Sequence, residues 1–186
     1  MEKIPQQKAF KGIKIVLYGP ESTGKSTLAR QLTEHFETIK VDEYARQYLQ
    51  EKLDQTGKVC DYADLVPIAI GQRKAENIAS ITAKNHLFCD TDALETYVYS
   101  LAYFDKAPVE LEEAARKSDY DLYLLLDVDI PWVADDLRDR PKDRKEMLGR
   151  FEKGLLDFQK NYSKISGAGE ERFKNAITAI KKLTDK

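Results

Sequence analysis

At 186 residues the chain matches one domain of ordinary size, and two would be cramped. Its 42% hydrophobic and 33% charged residues suffice for a core but are too polar for a membrane protein, and no apolar run approaches the roughly 20 residues of a spanning helix. Thirty basic against 32 acidic residues leave a net charge of -2, which excludes a broad basic field for nucleic acid.

The first residues, Met1 to Gly12, lack the apolar stretch of a secretory signal, and Cys60 and Cys89 alone cannot build a disulfide framework or a cysteine zinc site. The expectation is a cytoplasmic protein with no membrane insertion and no nucleic-acid partner. One domain is expected over 1–186, with 1–12 as an N-terminal extension. No internal repeat or dividing linker interrupts it.

In chain order, short β-branched or leucine-rich runs alternate with stretches of helical period, the pattern of a parallel sheet covered by helices. Residues 13–18 read as the first strand, and residues 25–36 as a helix with Leu28, Leu32 and Phe36 on one stripe. A strand over 38–41 and a helix over 43–53 follow, the latter with Tyr44 and Tyr48 on one side. Asp61 is placed to cap a long helix over 62–83, in which Pro67 either sits in the first turn or makes a kink. Residues 86–89 form a third strand ending at Asp90, and a tyrosine-rich helix spans 93–104. Leu122 to Leu126 is the most apolar run, expected as a central strand buried on both faces and ending at Asp127. Eight of the ten residues from Asp135 to Arg144 are charged. A helix over 145–160, a strand over 163–166 and a helix over 170–182 complete the chain.

Gly19 to Ser26 reads Gly-Pro-Glu-Ser-Thr-Gly-Lys-Ser, a full match to G-x-x-x-x-G-K-S/T, between a strand and a helix as that pattern requires. The glycines let the backbone wrap a phosphate chain, successive N–H groups point inward, and the helix dipole presents its positive end. Gly19, Glu21, Ser22, Thr23, Gly24, Lys25, Ser26 and Thr27 are therefore the candidate ATP-binding residues. Lys25 would reach the β- and γ-phosphates, and Ser26 would offer its hydroxyl to Mg²⁺. The plainer reading, a glycine-rich turn with a solvated lysine, leaves the agreement of motif and context unexplained.

A P-loop also needs a carboxylate near the metal, and two strand ends offer one. Asp127 ends the more apolar strand, while Asp90 opens Asp90-Thr91-Asp92. Either aspartate of that pair would equally serve as a helix N-cap. Glu43, directly after the second strand, is a candidate general base with Asp42 as its rival, and both would also suit the positive end of a helix dipole. Arg138, Arg140 and Arg144 lie in the charged segment, where a lid over 133–145 would bring guanidinium groups onto the transferring phosphate. A solvated charge run is the plainer alternative. Tyr97, Tyr99, Tyr103 and Trp132 could stack on a base-like ring, although at helical spacing packing explains them as well.

Several segments together resemble the kinase domain of NadR-type nicotinamide riboside kinases. They are the P-loop, Val41-Asp42-Glu43-Tyr44-Ala45-Arg46, Ile68-Ala69-Ile70-Gly71-Gln72, Phe88-Cys89-Asp90-Thr91-Asp92, and Asp129-Ile130-Pro131-Trp132-Val133 with Asp136-Leu137-Arg138. The resemblance covers about residues 13–182. It implies an α/β, three-layer P-loop NTPase fold with a five-stranded parallel sheet, similar to nucleoside and nucleotide kinases. It also implies Mg-ATP as phosphate donor and a small-molecule nucleoside, nicotinamide riboside, as acceptor through its 5′-hydroxyl.

On that resemblance Lys25, Glu43, Asp90 and Arg138 are the catalytic set, Ser26 and Asp90 hold Mg²⁺, and Arg144 joins the ATP site. A cationic acceptor ring is attracted to aromatic faces and carboxylates, so Glu43, Tyr44, Asp92, Tyr97 and Trp132 are the expected acceptor residues. Bifunctional members of that family carry an adenylyltransferase domain with an H-x-G-H motif. This chain has only His35 and His86, so adenylyl transfer and DNA-binding regulation are not expected of it. The competing reading is a P-loop ATPase or regulatory ATP-binding module without an acceptor. The GTPase motif N/T-K-x-D and the transporter signature L-S-G-G-Q are both missing from the sequence.

Overall fold

The computed structural model describes residues 2–138, 140 and 142–184. Five strands, β1 (Ile13–Tyr18), β2 (Ile39–Val41), β3 (His86–Asp90), β4 (Leu122–Leu126) and β5 (Tyr162–Ile165), form one sheet in the order β2-β3-β1-β4-β5. Every pairing is parallel, with Leu17 opposite Asp90 on β3 and opposite Leu124 on β4. The helices are α1 (Lys25–His35), α2 (Tyr44–Thr56), α3 (Leu65–Thr82), α4 (Ala93–Phe104), α5 (Val109–Lys117), α6 (Arg144–Asp157) and α7 (Glu170–Thr184). This is the α/β P-loop NTPase architecture.

The strand period of two divides the core between the faces of the sheet. Val16, Tyr18, Leu87, Cys89, Tyr123 and Leu125 meet Leu94, Val98, Leu111, Met147 and Phe151 on one face. Ile15, Leu17, Phe88, Leu122, Leu124 and Leu126 meet Leu28, Leu32, Ala176 and Ile180 of α1 and α7 on the other. Both layers are fully buried at their centres, so truncating a residue such as Phe151 would cost about 3–5 kcal/mol.

The differences from the sequence reading have local causes. β4 is buried on both faces, but the middle strand is β1, with β4 and β3 as its neighbours. The long helix expected after Asp61 is divided. Asp61 and Asp64 form a reciprocal capping box around a single 3₁₀ turn, Tyr62–Asp64, and α3 starts only at Leu65. Pro67 therefore sits in the first turn of α3, where its missing N–H costs nothing.

α2 runs on to Thr56 and closes on Gly57 at φ 70, a left-handed C-cap. α5 was not anticipated. Its Leu111 and Ala115 are fully buried one turn apart, with Glu110 and Glu112 in its first turn and Arg116 and Lys117 in its last. The N-terminal segment is tied down: Gln7 donates to Glu76 Oε1 at 2.6 Å, and the Lys8 N–H donates to Asn77 Oδ1 at 2.8 Å.

In this order the chain leaves β1 toward β2 on one side and later crosses to β4 on the other. The crevice at the carboxyl ends beside β1 is the topological switch point, where open α/β sheets bind ligands.

Candidate active site

The loop after β1 turns back over the strand end. Gly19 lies at φ 139 and Gly24 at φ 82, and a Cβ on Gly19 would come within 3.0 Å of the Leu126 carbonyl, so both positions demand glycine. The Thr23 hydroxyl braces the loop from inside by donating to the Pro20 carbonyl at 2.8 Å.

Arginines clamp it from outside. Arg144 donates to the carbonyls of Ser22 at 2.9 Å and Ile130 at 2.8 Å, and Arg172 bonds the Thr23 carbonyl while pairing with Asp129. Glu21 Oε1 accepts from Trp132 Nε1 at 3.0 Å and from the Arg140 N–H at 3.0 Å. Trp132, Val133, Arg140 and Arg144 thus all bond to Glu21 or Ser22 of the loop.

Lys25 opens α1, and its side chain is buried. Its ammonium donates to the Gly19 and Pro20 carbonyls at 2.7 and 3.1 Å and pairs with Glu95 at 3.1 Å. Burial works against the charge, yet Glu95, Glu43 and Asp90 outweigh it and hold the ammonium above the ordinary lysine range. In return burial pushes all three carboxyls up, with Lys25 opposing the shift in each. Lys25 therefore lies among three carboxyl groups, of which Asp90 and Glu95 are buried and Glu43 is half-buried on the cavity wall.

Asp90 ends β3 one position after Cys89, on the face that Phe88 shares with α1, where Ser26 lies. Its Oδ1 is buried without a hydrogen-bond partner, while Ser26 beside it favours the ionised form. A buried carboxylate oxygen with an open lone pair next to a hydroxyl fits a divalent cation completed by phosphate oxygens and water. No cluster of three or more His, Cys, Asp or Glu side chains suited to a metal occurs among the described residues, so phosphate oxygens would have to complete the shell.

Asp127 does not take this position. Its Oδ1 accepts its neighbour Val128 N–H at 2.7 Å, and its carbonyl is held by Arg172. Asp42 lies off the cavity wall, its side chain 80% exposed and paired with Lys40.

Glu43 is the N-cap residue of α2 and lines a cavity of about 390 Å³ that runs from the P-loop into an apolar chamber. Residues Glu21 to Thr27, Thr91, Glu95 and Arg138 line its phosphate end, while Leu49, Leu65, Ile68, Tyr99, Tyr103 and Phe104 wall the far end.

Several expected acceptor residues lie elsewhere. Asp92 is buried as the N-cap of α4, accepting from the Leu94 and Glu95 N–H groups at 3.1 Å each and from the Tyr123 hydroxyl at 2.7 Å. Thr91 at φ 72 turns the chain between the two aspartates, so Asp90 and Asp92 point apart. Tyr97 packs on Phe158 at 5.1 Å, since the α4 residues that face the cavity are Glu95, Thr96, Tyr99, Tyr103 and Phe104.

Tyr44 lies over Gly71, where any Cβ would collide with its ring, and its N–H donates to Gln72 Oε1 at 2.8 Å. It docks α2 on α3 and faces an outer groove. Trp132 braces Glu21 outside the cavity. Arg144 likewise holds the loop from behind and is no part of the cavity wall.

Arg138 does line the cavity, paired with Asp135 at 3.0 Å, and Asp135 also accepts from Arg46 at 2.6 Å. Arg140 stacks over Tyr103 at 4.3 Å and donates to the Ala102 carbonyl at 3.1 Å. Asp139 and Pro141 of the expected lid lie outside the described residues.

Sequence reasoning missed Glu95, Arg46, Leu49, Leu65, Ile68 and Phe104. Glu95 was hidden by its spacing, because Asp92-Ala93-Leu94-Glu95 reads as an ordinary helix start. Arg46 was visible in the E-Y-x-R segment without a role. The apolar wall carries no local signal at all.

Comparison with known proteins agrees with this architecture. The sequence model of a family described as AAA domain matches residues 14–172. The "Trifunctional NAD biosynthesis/regulator protein NadR" of Salmonella typhimurium is 28% identical over 186 residues, covering 98% of this chain and 45% of that protein. Its Escherichia coli counterpart is 33% identical over 148 residues, covering 78% and 36%. The chain thus spans less than half the length of these curated relatives. A crystal structure of NadR protein in complex with NR superposes with a TM-score of 0.75 at 23% identity, over 94% of this chain and 52% of that one. No described helix is long and apolar enough to cross a membrane. The chain belongs to the AAA domain family, and within it the chain is homologous to a part of NadR.

Proposed function

We propose that the chain is an ATP-dependent kinase that transfers the γ-phosphoryl group of Mg-ATP to the 5′-hydroxyl of nicotinamide riboside, giving nicotinamide mononucleotide. The observation that carries this reading is one cavity whose wall combines the P-loop, Glu43 and a set of apolar and aromatic side chains, Leu49, Leu65, Ile68, Tyr99, Tyr103 and Phe104. A bare ATPase needs a water site, not a chamber for a flat ring. The likeness to a NadR structure whose ligand is NR supports the choice of acceptor.

In this reading the loop N–H groups and Lys25 cradle the β- and γ-phosphates, the contribution growing as charge shifts in the transition state. Ser26 and Asp90 would hold Mg²⁺, whose bound charge offsets that of the β- and γ-oxygens. Glu43 aligns the 5′-hydroxyl and accepts its proton. Because the transition state is loose, alignment weighs more than base strength.

Arg138, in the expected lid segment, and Arg46 of α2, joined to it through Asp135, supply guanidinium groups to the cavity wall. Tyr99, Tyr103 and Phe104 receive the ring of the acceptor, and the Glu43 carboxylate on the same cavity wall suits a cationic pyridinium.

The test is ATP turnover with and without nicotinamide riboside, adenosine and uridine. Turnover that depends on nicotinamide riboside, with its kcat/KM above those of the neutral nucleosides, is the expected result. Acceptor-independent hydrolysis would return the chain to the ATPase reading, and a preference for a neutral nucleoside would keep the kinase and reject the acceptor.

A further inference from the structure

Of the three carboxylates around Lys25, Glu43 and Asp90 have tasks in the reaction and Glu95 has none. Glu95 rises from the first turn of α4 and its side chain is 4% exposed. One carboxylate oxygen lies 3.1 Å from the Lys25 ammonium, and the other accepts the Gly19 N–H at 3.4 Å. These two donors belong to the loop that receives phosphate. A carboxylate spanning both competes with a phosphate for the Lys25 ammonium, and it is supplied by the chain itself.

The remaining partners of Lys25 are the loop's own carbonyls at Gly19 and Pro20, which draw the ammonium inward. A polyphosphate must therefore win Lys25 from Glu95 and then lie beside a buried carboxylate of its own sign. We infer that Glu95 is a positioning residue that acts as an internal counter-anion of the P-loop. It competes with phosphate for Lys25, weakens the grip on the β-phosphate and so hastens release of the nucleoside diphosphate product. The inference rests on the nucleotide-binding part of the function proposed above and is independent of the acceptor.

The opposite role is a brace that orients Lys25 toward phosphate, and the two roles differ in sign. Glu95→Gln keeps the shape and an oxygen acceptor for the Gly19 N–H while removing the charge. Binding of ADP and of inorganic tripolyphosphate, measured by calorimetry on the full chain, should tighten roughly tenfold in this variant, the size of one charge pair removed at short range. Adenosine, which has no phosphate, should bind as in the wild type. Glu95→Asp retains the charge and should not tighten binding, and Glu95→Ala repeats the Gln test should that variant fold poorly.

Unchanged or weaker ADP binding in Glu95→Gln, with wild-type binding intact, would overturn the counter-anion role alone. A wild-type chain that binds neither ADP nor tripolyphosphate would overturn the nucleotide-binding reading along with it.

Discussion

The phosphate end and the acceptor end of the cavity are built in opposite ways. The P-loop is backbone geometry bolted to the sheet: Lys25 is buried, Thr23 closes the loop from within, and Arg144 and Arg172 hold its carbonyls from behind. The acceptor end is an assembly of side chains from α2, α3, α4 and the loop between α2 and α3. No residue of α2 is fully buried. It is attached through Gln72 to the Tyr44 N–H and through Tyr48 and Lys52 to Asp64. A rigid phosphate loop beside a lightly fixed apolar wall fits the proposed division of the cavity between donor and acceptor.

The sharpest break between the two ends should come from Lys25→Ala. It is expected to lower phosphoryl transfer by about 100- to 1,000-fold, whatever acceptor is offered, since it removes a preorganised charge from the transition state. Initial-rate assays with two acceptors check this, and near-normal turnover would dissolve the site. Glu43→Gln comes next, with kcat reduced about 100-fold while the Kd for ATP stays near wild type. A matching loss of ATP affinity would move Glu43 to the phosphate end.

Asp90→Asn should weaken the dependence on Mg²⁺ by tens of fold, on the scale seen for groups around a metal site. Asp127→Asn should leave it unchanged, as a magnesium titration of turnover would reveal. Arg138→Lys keeps the charge but loses the planar fork, and roughly a tenfold drop in kcat is expected from the lost charged hydrogen bond. Equal activity would make the segment a solvated surface.

The smallest effect belongs to the chamber. Tyr99→Leu should raise the KM for nicotinamide riboside roughly five- to tenfold through lost stacking, with the Kd for ATP unmoved. Tyr97→Leu, on the far side of the same helix, should leave both constants alone. If Tyr97 proves the sensitive residue, the orientation of α4 in the acceptor wall is wrong.

How far the site could be read in advance varied residue by residue. Lys25, Ser26 and Glu43 were located by motif and by position after a strand, and the structure brings them into one cavity. Asp90 and Asp127 could not be separated by pattern, because β3 and β4 both flank β1. The pleat decides: Asp90 shares the α1 face with Phe88, whereas Asp127 follows Leu126 of that face and is bonded to its own turn. Asp92, Tyr97 and Trp132 were chosen for their chemistry at strand ends. A left-handed residue at Thr91, the angular position of Tyr97 on its helix, and the bond from Trp132 to Glu21 each point them elsewhere.

The sequence by itself determined the parallel sheet, the phosphate loop and the order of the five strands along the chain, because these depend on residue period, glycine conformations and caps acting over a few neighbouring residues. Tertiary structure alone decided that Glu95 meets Lys25 across 70 positions of chain and that Leu49, Leu65, Tyr99 and Phe104 converge on one chamber. Contacts of that kind are fixed by helix rotation and sheet order, and neither quantity is written in any local stretch of the chain.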